Sequence, residues 1–108
     1  MERSGQVYMK DVYCGKIYET EDGYFFQYDE TILKNDGVQA ISLTLPKQRI
    51  PYHSKTLFAF FDGLIPEGWL LDIAQKNWKI NHRDRMGLLL ACCKDCIGAV
   101  SVIKNEEL

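Results

Sequence analysis

The sequence has no excess of positive charge. It carries 13 basic and 15 acidic residues, a formal net charge of -2. Proteins that grip nucleic acid usually leave a basic surplus, so direct nucleic-acid binding is not expected. Long apolar runs are missing too. None approaches the roughly 18 residues of a membrane span. The start, Met1-Glu2-Arg3-Ser4-Gly5-Gln6, has no apolar stretch behind it, so no signal peptide is expected. Cysteines are few and clustered. Cys92, Cys93 and Cys96 are crowded together, and Cys14 stands alone. A secreted disulfide scaffold spreads its cysteines along the chain, so this usage points to a reducing, cytoplasmic setting. No internal repeat, low-complexity stretch or linker interrupts the sequence.

Catalytic parts are also lacking. His82-Arg83-Asp84 spells the start of a protein-kinase catalytic loop, but that loop needs an Asn five residues after the Asp to hold the metal. Leu89 occupies that position. There is neither a Gly-rich phosphate loop nor an Asp-Phe-Gly. His82-Arg83-Asp84 therefore reads as the polar first turn of a helix. Cys93-Lys94-Asp95-Cys96 is a lone C-x-x-C. A structural zinc site needs a second ligand pair, and Cys14, His53 and His82 supply none. A redox pair belongs at a helix N-terminus, which lowers thiol pKa, whereas this pair follows a helix. Lys76, Lys79, His82, Arg83 and Arg85 are interleaved with Asp72 and Asp84 and read as a solvated helix face. No enzyme activity, cofactor or metal is expected.

What the sequence does contain is enough for one core. Its 108 residues are 46% hydrophobic and 26% charged, a globular balance for a single domain over residues 1–108. Val7 to Met9 and Tyr13 to Tyr18 flank Lys10-Asp11 and read as paired strands. After the turn signal Glu21-Asp22-Gly23, Tyr24 to Tyr28 forms an aromatic-rich strand. Lys34-Asn35-Asp36-Gly37 marks another turn. Ala40 to Leu45 alternates Ile41, Leu43 and Leu45 with Ser42 and Thr44, the pattern of a half-buried strand.

The second half changes period. Ser54 is placed to cap a helix presenting Leu57, Phe60, Phe61 and Leu64, with Gly63 as its left-handed end. A second helix is expected over Trp69 to Trp78. A third, capped by Asn81 with Asp84 in its first turn, presents Met86, Leu89, Leu90 and Cys93. Ile97 to Ile103 reads as a last strand returning to the N-terminal sheet. The fold class is α+β, a small antiparallel or mixed sheet with about three short helices.

Leu64-Ile65-Pro66-Glu67-Gly68-Trp69 is the unusual segment. On a wheel of about 100° per residue, Leu70, Leu71, Ala74 and Trp78 share one side. Trp69 falls roughly 140° from the centre of that side. An off-core Trp after a Pro-Glu-Gly elbow fits an anchor for a partner's pocket. The other placement is a staple folded back on Phe61 or Ile65. Geometry alone leaves both open.

Three ordered motifs then carry a resemblance. Ile41-Ser42-Leu43-Thr44-Leu45-Pro46, Phe58-Ala59-Phe60-Phe61-Asp62-Gly63-Leu64-Ile65-Pro66-Glu67-Gly68 and Lys94-Asp95-Cys96-Ile97-Gly98-Ala99-Val100 resemble the N-terminal subdomain of HipA-type serine/threonine toxin kinases over about Val7 to Lys104. The family patterns are roughly S-L-S-L-P, F-F-x-N-L-L-P-E-G and G-x-D-x-x-G-A-V. Cys93 stands where the family often has Gly, and Gly63 where Asn is common. Because the kinase lobes are absent, the sequence resembles the small HipS-type proteins of three-component HipB-HipS-HipT systems. The resemblance implies an antitoxin that binds and inhibits a separate HipA-like kinase of HipT type, in a complex with a HipB-like helix-turn-helix protein. It implies a docking site near the nucleotide cleft formed by Phe61, Asp62, Ile65, Pro66, Glu67, Gly68 and Trp69. The alternative role is a non-inhibitory subunit that completes the kinase and its complex with the DNA-binding protein.

Overall fold

Two tight turns organise the first third of the chain. Lys10 and Asp11 adopt positive φ, 49° and 69°, the two-residue hairpin geometry that matches strand twist. They join β1 (Arg3–Met9) to β2 (Val12–Thr20). Gly23, at φ 125°, allows the second reversal into β3 (Gly23–Tyr28). Both turns lie where the sequence predicts them. The computed structural model describes residues 3–65, 83–92 and 100–104.

The described strands form one five-stranded antiparallel sheet in the order β4-β3-β2-β1-β5. β4 is Tyr52–Ser54 and β5 is Val100–Lys104. The last strand pairs with β1, from Gly5 opposite Lys104 to Met9 opposite Val100. A bulge interrupts the β1–β2 ladder. Val7 faces Gly15 while Tyr8 faces Tyr13, which leaves Cys14 as the extra residue. Its thiol is fully buried and donates to the Val12 carbonyl at 3.3 Å. Burial pushes that thiol's pKa up, so Cys14 behaves as a small hydrophobe.

Among the described residues three short helices accompany the sheet: α1 (Glu30–Leu33), α2 (Ala59–Asp62) and α3 (Arg85–Cys92). Val7, Ile17, Phe26 and Val102 from the sheet meet Ile32, Phe61, Met86, Leu88 and Leu89 from the helices in the core, all nearly or fully inaccessible. Phe61 is a hub. Its ring lies 5.4 Å from Phe26, 5.2 Å from Phe60 and 6.2 Å from Phe58. The other side of the sheet carries a stacked row, Tyr18 on Phe25 at 5.0 Å and Phe25 on His53 at 4.5 Å. Cross-strand aromatic pairs of this kind help fix register.

Several expectations are corrected. Ala40 to Leu45 is not a strand. Ser42 and Leu45 form an isolated bridge closing a turn, with Ile41 and Leu45 buried and Leu43 at 101% exposure. The Tyr28 hydroxyl explains the departure. It accepts from the Ile41 amide at 3.1 Å and donates to the Leu45 carbonyl, so both ends of the turn are satisfied without a neighbouring strand. Ser54 does not cap a helix. It ends β4, and its hydroxyl accepts from the Thr56 amide at 3.3 Å. α2 starts later and has no side-chain cap. Gly63 is right-handed at φ -69°, because tight turns continue to Ile65, whose amide reaches the Asp62 carbonyl at 3.2 Å. α1, capped by Asp29 on the Thr31 amide, is unforeseen.

The α2–α3 junction as candidate functional site

The expected docking residues divide between the described and undescribed parts of the chain. Phe61, Asp62 and Ile65 are described, whereas Pro66, Glu67, Gly68 and Trp69 lie outside the described residues. So do the expected helix Trp69 to Trp78, Lys76, Lys79 and His82, the Cys93 and Cys96 pair, and Ile97 to Ala99. Cys92 ends α3.

At the end of α2, adjacent residues do different things. Phe61 points into the core with no exposed surface, and Ile65 is 6% exposed. These two present almost no surface of their own. Asp62 keeps part of its side chain in water, and its Oδ1 accepts from Arg85 Nε at 2.5 Å. Arg85 is the first residue of α3. It is therefore engaged with α2 rather than standing on a purely solvated basic face.

The residue before it, Asp84, is equally committed. Arg3 grips it in a bidentate pair, Nη1 to Oδ2 at 2.7 Å and Nη2 to Oδ1 at 2.9 Å. Arg3 Nε donates to Glu19 at 2.8 Å. Asp84 Oδ1 also accepts from the Gly87 amide at 3.2 Å, the bond of an N-cap. Asp84 is thus the cap of α3, and the helix begins at Arg85 rather than after Asn81. The Arg3 guanidinium holds the Asp84 carboxyl below its ordinary range, and the two carboxylates hold Arg3 more firmly protonated. Bidentate guanidinium–carboxylate pairs fix orientation as well as charge.

His82-Arg83-Asp84 therefore ends in a capping aspartate, and Leu89, five residues on, is fully buried. Among the described residues no group of three or more His, Cys, Asp or Glu could hold a metal ion. No helix among them is long and apolar enough to cross a membrane. The sequence reading missed Arg3 and placed Arg85 on a solvated face, not in an ion pair. Their partners lie 81 and 23 positions away, so no local pattern announces them.

The order of strands and helices, together with the exposed 42–45 turn and the clamped α2–α3 junction, can be set beside known proteins. The sequence model of the HipA N-terminal domain matches residues 5–103. The chain belongs to the HipA N-terminal domain family. The family match spans all five strands except Arg3 and Ser4 of β1 and Lys104 of β5. A relative from Haemophilus influenzae, an uncharacterized protein, is 33% identical over 107 residues, covering 97% of this chain and 95% of that one. A solved structure described as the N-terminal domain of HipA toxin superposes with a TM-score of 0.75 at 30% identity, covering 98% of this chain and 95% of the other. The HipA N-terminal domain fold is thus a five-stranded antiparallel sheet with three described helices in this chain, and the expected α+β class holds.

Proposed function

We propose that this chain is an antitoxin that binds and restrains a separately encoded HipA-like serine/threonine kinase. The observation that carries the proposal is family membership across nearly the whole chain, in a domain whose solved counterpart is part of a toxin. The Haemophilus influenzae relative, 95% covered, carries little beyond this domain, which fits a role played apart from kinase lobes. The motifs that would do phosphoryl transfer are missing from the sequence, and the Asp84 carboxylate is spent on Arg3 and the α3 cap.

The proposed mechanism is steric. The elbow Pro66-Glu67-Gly68 and Trp69 follow directly from Ile65 and dock near the kinase's nucleotide cleft. Phosphoryl transfer depends on positioning within fractions of an ångström, so an aromatic wedge beside the cleft is costly to the reaction. Phe61 and Ile65, buried in the core, anchor the residues from which that segment leaves. A HipB-like helix-turn-helix protein completes the complex and carries the DNA contacts, and the assembly works in the cytoplasm.

The test is autophosphorylation of the purified partner kinase with and without saturating chain. Activity should fall, and Trp69→Ala should weaken binding by about 2 kcal/mol or more, the scale of an interface Trp, while its own fold persists. Undiminished kinase activity with a stable complex would replace inhibition by a purely structural role. A Trp69→Ala chain that unfolds would show the Trp to be a staple.

A further inference from the structure

We propose that Leu43 is an anchor for the partner kinase. It enters an apolar pocket whose border carries carboxylates, at a surface separate from the α2–α3 junction. This rests on the reading that the chain works by binding that kinase, and it adds a second point of contact made wholly of described residues.

Three observations support it. First, the fold gives a place to Ile41, Leu45 and Pro46 but none to Leu43. Ile41 and Leu45 are buried in the core, the Tyr28 hydroxyl ties their backbone groups, and the Pro46 carbonyl accepts from Tyr52. Leu43 stands between them at 101% exposure.

Second, Leu43 is held out on a fixed frame. A lone exposed leucine needs no explanation on a protein surface, but this turn is closed by the Ser42–Leu45 bridge. The Thr44 amide donates to Ser42 Oγ at 3.2 Å, and the two hydroxyls lie 2.9 Å apart. A side chain presented on an ordered turn loses less freedom on association. A hollow beside it is lined by Val38, Ala40 and Ile41 together with Asp36 and Lys47, so a projection and a recess lie side by side. Ile50, 75% exposed, is a second large apolar side chain on the same segment.

Third, the charge of this segment is one-sided. Between Asp36 and Asp62 there is no carboxylate, while Lys47, Arg49 and Lys55 are present in a chain of net charge -2. Lys47 is committed to three backbone carbonyls. Arg49 and Lys55 are exposed. The Arg49–Glu30 contact at 3.4 Å lies in solvent, where such pairs hold little energy. An apolar anchor accompanied by exposed cations is complementary to a pocket bordered by carboxylates. A phosphate backbone would meet the cations but not the leucine.

The experiment uses the full chain as wild type, Leu43→Ser, Leu43→Asp, Leu43→Met and the Arg49→Gln/Lys55→Gln double variant. The dissociation constant for the purified partner kinase is measured at low and high salt, with urea unfolding of each free chain alongside. Burying a leucine corresponds to roughly tenfold to hundredfold in affinity. Leu43→Ser should bind that much more weakly with its unfolding midpoint unchanged. Leu43→Asp should bind more weakly still, because it sets a carboxylate against carboxylates. Leu43→Met should keep most of the affinity. Wild-type affinity should fall several-fold as salt rises, and the double Gln variant should lose most of that dependence. Unchanged affinity in Leu43→Ser and Leu43→Asp overturns the anchor and leaves kinase binding standing. Affinity that ignores salt overturns the acidic border. A Leu43→Ser chain that unfolds more easily makes Leu43 part of the fold and overturns the contact. A wild-type chain that does not bind the kinase removes the antitoxin reading and the anchor with it.

Discussion

Residues 3–28 and residues 34–58 are ordered by different means. The first stretch is held by its own ladder, with β1 on β2 and β2 on β3 in continuous register apart from one bulge. The second has only the three residues of β4 as regular structure. A few side chains tie it together, partly through the end of α1. The Lys47 ammonium donates to Ile32 at 3.1 Å, Asn35 at 3.0 Å and Val38 at 2.6 Å. The Tyr28 hydroxyl ties Ile41 to Leu45, and the Tyr52 hydroxyl donates to Pro46 at 2.5 Å. Among the described residues no buried side-chain polar atom is left without a partner. A ladder shares the load over many equal bonds. A few side chains concentrate it, so single substitutions there act locally.

Three substitutions test that contrast. Phe26→Ala empties the place where β3 meets Phe61 and should cost about 3–5 kcal/mol, read as a global shift in urea unfolding. Tyr28→Phe removes one hydroxyl and leaves the Ile41 amide and the Leu45 carbonyl unpaired, which should cost about 1–3 kcal/mol. Its mark should be faster hydrogen exchange around residues 41–45, with the β1–β2 ladder protected as before. Equal loss of protection in both places would erase the distinction. Leu43→Ser, at the exposed tip of the same turn, should leave stability within about 0.5 kcal/mol. A larger loss in the isolated chain would mean that the turn is held by contacts of Leu43 itself. Tyr28 also offers a spectroscopic check, since burial pushes its hydroxyl up to about 12, so alkaline titration should reach it late, above the ordinary tyrosine range.

The same division explains what could be read from the sequence. Lys10-Asp11 and Gly23 are local signals with local causes, and the strands around them were expected. Ala40 to Leu45 has the alternation of a strand, yet its outcome is set by Tyr28, which lies 13 and 17 positions away. β4 is three residues between turn-forming neighbours, and its place comes from pairing with β3 and from His53 stacking on Phe25. At the candidate site, Phe61 could be assigned to an apolar face from its spacing. The ion pairs of Asp62 and Asp84 could not, because charge alone does not name a partner 23 or 81 residues away. Family motifs located the elbow, whose residues 66–69 lie outside the described part of the chain.

The pairing of β1 with β5 has a mechanical consequence. Gly5 faces Lys104 and Met9 faces Val100, so the outer ends of the two strands sit side by side at one end of the sheet. A pull applied between Arg3 and Lys104 would not shear the whole ladder at once. It would peel β5 from β1 one hydrogen bond at a time, starting at Lys104. Tension on those two ends would undo the fold by unzipping, at low force, with β5 leaving first and the β1–β2–β3 meander left intact behind it.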